Sequence, residues 1–149
     1  MLSKRAKYGI SSLVYLAKHY NEGPVLISDI SKNQKLPRKF LEAILLDMKN
    51  HGILGSKKGR KGGYYLARPP HEVSIAEVIR LLNGAIGLLP CTTFQFYERC
   101  SDCNDEKTCG IRDVFIDVRN SSVQLLKENS LQSILDREDN LTKAIQQSE

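Results

Sequence analysis

No apolar run in this sequence approaches the ~18 residues needed to cross a bilayer, so a membrane-spanning helix is excluded. The first residues, MLSKRAKYGI, are basic and lack the roughly 7–15-residue apolar core of a signal peptide. A cytoplasmic protein is expected, with reduced cysteines unless they hold a metal. There is no Walker loop, no HExxH and no evident nucleophile–base pair, so the common hydrolytic chemistries have no carrier here. Gly59-x-x-Gly62-Gly63 is too short and too basic to be a nucleotide fingerprint. Internal repeats and low-complexity segments are also missing. What remains is an ordinary globular composition of 149 residues, 41% apolar and 26% charged, which suits one domain, or a small domain with an appendage. A chain of this length can bury roughly 70% of its unfolded surface and needs no disulfide to fold.

Acidic residues are scarce in the first half. Residues 1–70 hold 14 Lys+Arg and 4 Asp+Glu, a net of +10; residues 71–149 hold 8 and 13, a net of −5. A basic half beside an acidic half points to a polyanionic partner for the first.

The helical signals are periodic. Leu2, Ala6, Gly9, Leu13, Leu16 and Tyr20 recur at spacings of three and four and predict a helix over 2–20, ended by Asn21-Glu22-Gly23-Pro24. A short helix over 28–34 follows, with Ile30 facing inward. Pro37 suits the first position of a third helix running to about Asn50, with Phe40, Leu41, Ile44, Leu45 and Met48 as its apolar face. Residues 53–56 and 64–67 read as two short strands. Between them Lys57, Lys58, Arg60 and Lys61 stand among three glycines, a flexible cationic hairpin tip. Ser74-Ile75-Ala76-Glu77 predicts a capping box, with Val73 and Val78 as its hydrophobic staple, for a fourth helix ending near Asn83-Gly84. A long helix is predicted over 110–134. Its narrow seam of Ile111, Phe115, Val118, Ser122 and Leu125 calls for a partner surface. Residues 136–149 are polar and expected to fray.

Three helices with a tight turn before the third, then a hairpin, is the plan of a winged helix–turn–helix. The expected fold is mainly α with a small β-hairpin wing and a long C-terminal dimerisation helix. The expected divisions are 1–84 for the DNA-binding unit, 85–109 for a cysteine loop, 110–135 for the dimerisation helix and 136–149 for a polar tail. A recognition helix presents its first turns to base edges and phosphates of the major groove. Arg38 and Lys39 are placed to donate to guanine or phosphate, and Glu42 to accept from a cytosine amino group. Lys57, Lys58, Arg60 and Lys61 would follow the backbone or enter an adjacent minor groove.

Four cysteines fall within 19 residues as Cys91-x8-Cys100-x2-Cys103-x5-Cys109. Thiols at such spacings suit zinc or an iron–sulfur cluster, and spacing alone leaves the two level. His19, His51 and His71 all lie outside this loop. Glu98, Asp102, Asp105 and Glu106 surround it and disfavour a reactive thiolate.

These features together resemble the IscR-type winged-helix regulators, which include NsrR and CymR. The resemblance covers about residues 1–135 and is carried by several segments. They are Tyr8-Gly9 and Leu13-Val14-Tyr15-Leu16-Ala17, Phe40-Leu41-Glu42, Gly52-Ile53-Leu54, the wing from Ser56 to Arg68, Ser74-Ile75-Ala76-Glu77-Val78-Ile79, and Cys109. It implies a homodimer with crossing long helices, bound to a palindromic operator on double-stranded DNA. It also implies a [2Fe–2S] or [4Fe–4S] cluster on three loop cysteines, best matched by Cys91, Cys103 and Cys109. The position of a histidine ligand in IscR holds Arg112 here, and an acidic N-terminal ligand of some relatives corresponds roughly to Lys7. Cys100 is therefore the candidate fourth ligand. The expected function is transcription regulation without enzymatic activity, sensing redox, nitric oxide or iron status. The alternatives are the same regulator with zinc or no metal, answering to a metabolite or protein partner, and a redox carrier using the cysteines.

Overall fold

Helix starts and stops follow local chemistry closely. The computed structural model describes residues 2–148. Met1 and Glu149, at the ends of the expected first and last divisions, lie outside the described residues. Ser3 opens α1 (Lys4–Lys18) by accepting the Ala6 N–H at 3.1 Å. Ala6, Gly9, Leu13, Leu16 and Ala17 form its buried stripe. α2 (Ile27–Gln34) buries only Ile30 and ends at Lys35 in the left-handed region, φ 53°. α3 (Arg38–Asn50) begins after Pro37, which is the capping residue instead of the first helical one. Its core stripe is Leu41, Ile44, Leu45 and Met48. Phe40 does not join it. It is 59% exposed, at the edge of the buried stripe, and its ring stands edge-to-face with Tyr8 at 6.4 Å.

Two strands, β1 (Leu54–Lys57) and β2 (Gly63–Leu66), pair antiparallel with Leu54 opposite Leu66 and Lys57 opposite Gly63. α4 (Ile75–Asn83) starts at Ser74, whose hydroxyl accepts the Glu77 N–H at 3.2 Å. The reciprocal half of the expected capping box is absent. The Glu77 carboxylate instead accepts from Arg68, since a guanidinium is a stronger partner than a backbone N–H. Val73 and Val78 are both fully buried.

Gly9 lets α1 and α4 approach closely. A Cβ there would overlap Leu82 Cδ1 and touch Ile44. Gly9→Ala is expected to cost up to about 2 kcal/mol net, overpacking of about 1–3 kcal/mol being offset by the roughly 1 kcal/mol that alanine gains inside a helix. Thermal unfolding checks it: an unchanged Tm would show that Leu82 can move aside.

The long helix predicted over 110–134 is two helices. α5 (Gly110–Glu128) stops at Asn129, which is extended, and α6 (Leu131–Gln146) begins under a capping box formed by Ser130 and Ser133. The break is held by the segment before α4: the Ile75 N–H donates to Asn129 O at 2.9 Å and the Leu131 N–H to Val73 O at 3.0 Å. α6 then folds back on α1, with Leu131 wholly buried and Lys18 paired with Glu138 at 2.6 Å. The tail expected to fray is thus helical as far as Gln146. Leu131, Ile134 and Leu135 dock the first turns of α6 on the main core, and the helix begun there continues into the polar tail, tied to α1 through Glu138. No described helix is long and apolar enough to cross a membrane.

Candidate functional site

The first turn of α3 is unusual electrostatically. It contains no acid and no side-chain cap, yet carries Arg38 and Lys39 at the positive end of the helix dipole. Both are exposed. Arg38 Nε donates to Glu42 Oε1 at 3.1 Å, so Glu42 is held by its own helix. Glu42 answers Arg38 within the helix, whereas Lys39 has no ion-pair partner among the described residues, and the open N–H groups of the turn suit an external anion.

The wing tip carries Lys57, Lys58, Arg60 and Lys61, all exposed, with no ion-pair partner among the described residues. Its backbone is tightly specified. A Cβ on Gly62 would overlap the Lys57 carbonyl, and one on Gly63 (φ 141°) would overlap that of Val25. Val25 and Tyr64 exchange N–H donations at 2.8 and 2.9 Å, so the hairpin is docked to the segment that leads into α2. At the other end the Ile53 N–H donates to Met48 O at 3.0 Å, joining the wing to α3. Helix and wing are therefore set relative to one another by main-chain bonds. A further tie, missed in the sequence, is the Arg5–Asp47 ion pair between α1 and α3.

The cysteine loop is arranged around the start of α5. Cys91 lies in a 3-10 turn, Pro90–Thr92, and is only 8% exposed. Cys100 is exposed, and Cys103 and Cys109 are half-buried; all four thiols are free. Cys109 caps α5, its Sγ accepting the Arg112 N–H at 3.5 Å. The Arg112 side chain, at the position predicted to lack a ligand, donates to Cys91 O at 3.1 Å. Arg112 thus connects Cys91 with the capping cysteine. Burial pushes the Cys103 thiol up, and Cys109 beside it adds to the shift, followed by Cys100 and Glu106. Tyr97 is raised as well, chiefly because its hydroxyl donates to Glu106.

Four soft thiol donors fit an iron–sulfur cluster or zinc chemically. Among the described residues, however, no three His, Cys, Asp or Glu side chains are gathered closely enough to hold a metal ion.

On α5, Ile111 is 67% and Leu125 60% exposed, Val114 and Val118 are also exposed, and Phe115 and Ser122 are half-buried. The seam predicted from spacing is a largely uncovered apolar stripe. Arg119, on the same helix, is the reverse: a charged residue that is only 9% exposed. Its guanidinium donates to Thr92 O and lies 4.1 Å from the centre of the Phe94 ring. A charge in mid-helix carries no sequence mark that it will be covered by a distant loop.

Comparison with known proteins agrees with this architecture. The model of the Rrf2 family, described as an iron-dependent transcriptional regulator, matches residues 2–137. An rrf2-like protein of Rhodobacter capsulatus, named as an HTH-type transcriptional regulator, is 37% identical over 138 residues, covering 91% of this chain and 92% of its own. The solved structure of CymR, the global cysteine regulator of B. subtilis, superposes with a TM-score of 0.76 at 26% identity, covering 92% of this chain and 97% of that one. T. potens IscR gives 0.73 at 26% identity, covering 93% and 88%. With the family match spanning nearly the whole chain and these relatives being regulators, not enzymes, the protein belongs to the Rrf2 family of DNA-binding transcriptional regulators.

Proposed function

We propose that the chain acts as a homodimer on a palindromic operator in double-stranded DNA, through the α3 start and the wing, and that its cysteine loop holds an iron–sulfur cluster. The observation that carries the reading is the pairing of a cationic helix start, with no acid in its first turn and Lys39 free of any ion pair among the described residues, with a cationic hairpin docked by main-chain bonds. Arg38 and Lys39 donate to phosphate or guanine, with Glu42 orienting Arg38 or accepting from cytosine. Lys57, Lys58, Arg60 and Lys61 neutralise phosphates and release counterions. Ile111, Phe115, Val118, Ser122 and Leu125 pack against the same stripe of a second copy. This contact sets the spacing of two half-sites.

Cys91, Cys103 and Cys109, with Cys100 as the fourth ligand, would hold the cluster. When bound, such a group supplies a centre sensitive to redox state, nitric oxide or iron supply. Arg112 bridges Cys91 and Cys109 at the start of α5, so loop geometry bears directly on the dimer helix. Coupling of ~1–3 kcal/mol would alter operator affinity by roughly 5–150-fold.

Anaerobic reconstitution with iron and sulfide, followed by operator titration, is the test. The expected results are thiolate-to-iron absorption, its loss in Cys103→Ser, and an operator affinity that differs between loaded and metal-free protein. Colourless protein with stoichiometric zinc would favour the second reading, a regulator with zinc or no metal that answers to a metabolite or protein partner. That reading is supported by Arg112 in place of a ligand.

A further inference from the structure

Arg119 is a nearly buried cation without a counter-ion. Its Nη1 donates to Thr92 O, and its Nε and Nη2 donate to Asn120 Oδ1 at 3.1 and 2.8 Å. These acceptors are neutral, as is the Phe94 ring, and two of its five N–H groups remain free of them. Among the described residues no carboxylate comes within ion-pair distance of Arg119. Arginine is rarely buried unless paired, because carbonyl and ring dipoles do not cancel a full charge.

Beside it is a cavity of about 210 Å³. A second guanidinium, Arg80 of α4, lines the same space with Arg119, and the rest of its wall includes Ile86, Phe94, Gln95 and Val123, with no acid. Arg80 also has no ion pair among the described residues. Asp47 and Glu77, which share a neighbouring cavity with Arg80, are already engaged by Arg5 and Arg68. Two uncompensated guanidiniums, an amide and apolar walls are the chemistry of a carboxylate site.

We propose that this cavity binds a small organic carboxylate, clamped between Arg80 and Arg119, with its carbon skeleton against Phe94 and Ile86. The planar guanidinium forks favour a carboxylate, and the apolar wall favours a carbon skeleton over a bare inorganic anion. The volume lies below the ~300–1,000 Å³ of drug-sized sites, which excludes a nucleotide. The walls come from three parts of the chain: α4 of the winged domain, α5, and the cysteine loop. A bound carboxylate therefore joins the DNA-binding half to the dimer helix, and Arg119 connects it to Thr92, the neighbour of Cys91. The site goes beyond the cluster reading and stands whether or not the cysteines hold a metal.

The test uses the full chain, with succinate, 2-oxoglutarate and benzoate as probes and inorganic phosphate as the control, read by thermal unfolding and calorimetry. At least one carboxylate is expected to raise Tm saturably, by about 5–10 °C at roughly a hundredfold excess over Kd. Arg80→Gln, at an exposed position, should leave the ligand-free Tm unchanged and weaken binding about tenfold or more, as expected for loss of a charged hydrogen bond. Arg119→Lys keeps the charge but loses the fork, and should also bind the carboxylate less tightly; if it fails to fold, Arg80→Gln still decides. Three results would overturn the proposal: no saturable carboxylate binding, equal stabilisation by phosphate, or undiminished binding in Arg80→Gln.

Discussion

Replacing Lys58 and Arg60 together by alanine is expected to weaken duplex binding roughly 30-fold at ~0.15 M salt and to reduce the slope of log K against log[salt] by about two units. Both side chains are exposed and have no ion-pair partner among the described residues, so neither has a folding role to lose. Each phosphate contact releases close to one counterion, and the two losses should add. Because phosphates carry no sequence information, the weakening should be nearly the same on operator and random DNA. Fluorescence anisotropy across a salt series measures both quantities. An unaltered slope would remove the wing tip from the contact surface and leave the α3 start alone to carry recognition.

Leu131→Ala is expected to cost about 2–5 kcal/mol, the range for removing a buried leucine side chain. Against a typical total of ~5–15 kcal/mol this is a large share of stability. Leu131 has no exposed surface, is the first residue of α6 and itself makes one of the main-chain bonds that tie residues 129–131 to residues 73–75. Its loss leaves a cavity where α6 meets the core and loosens the point at which the chain reverses after α5. Leu141→Ala, in the same helix but exposed, should stay within ~0.5 kcal/mol. Urea unfolding of both variants gives the comparison. Equal, small effects would mean that α6 does not belong to the cooperative unit.

The readable parts of the fold share one property: their causes are local. The α1 and α3 stripes follow from residues three and four apart, the start of α4 from Ser74, and the wing from glycines whose positions exclude a Cβ. The cationic character of the α3 start and wing was equally legible, because charge composition does not depend on tertiary contacts. The break at Asn129 was not, since neither Gly nor Pro marks it. Ser130 and Ser133 were the available signal, a capping box made of two serines in place of the Ser–Glu form. Phe40 stays outside the core although it is apolar, because hydrophobicity alone does not say whether a neighbouring element reaches a given face.

The sequence by itself determined where most helices and the hairpin form, where positive charge accumulates, and that four thiols share one loop. Only the tertiary structure decided that Glu77 serves Arg68, that the last helix returns to α1, and that Arg119 is buried beside Arg80 without a counter-ion. The division has a physical reason. Propensity, capping and net charge are sums over neighbours in the chain, whereas burial and ion pairing depend on which distant elements come together, and only packing settles that.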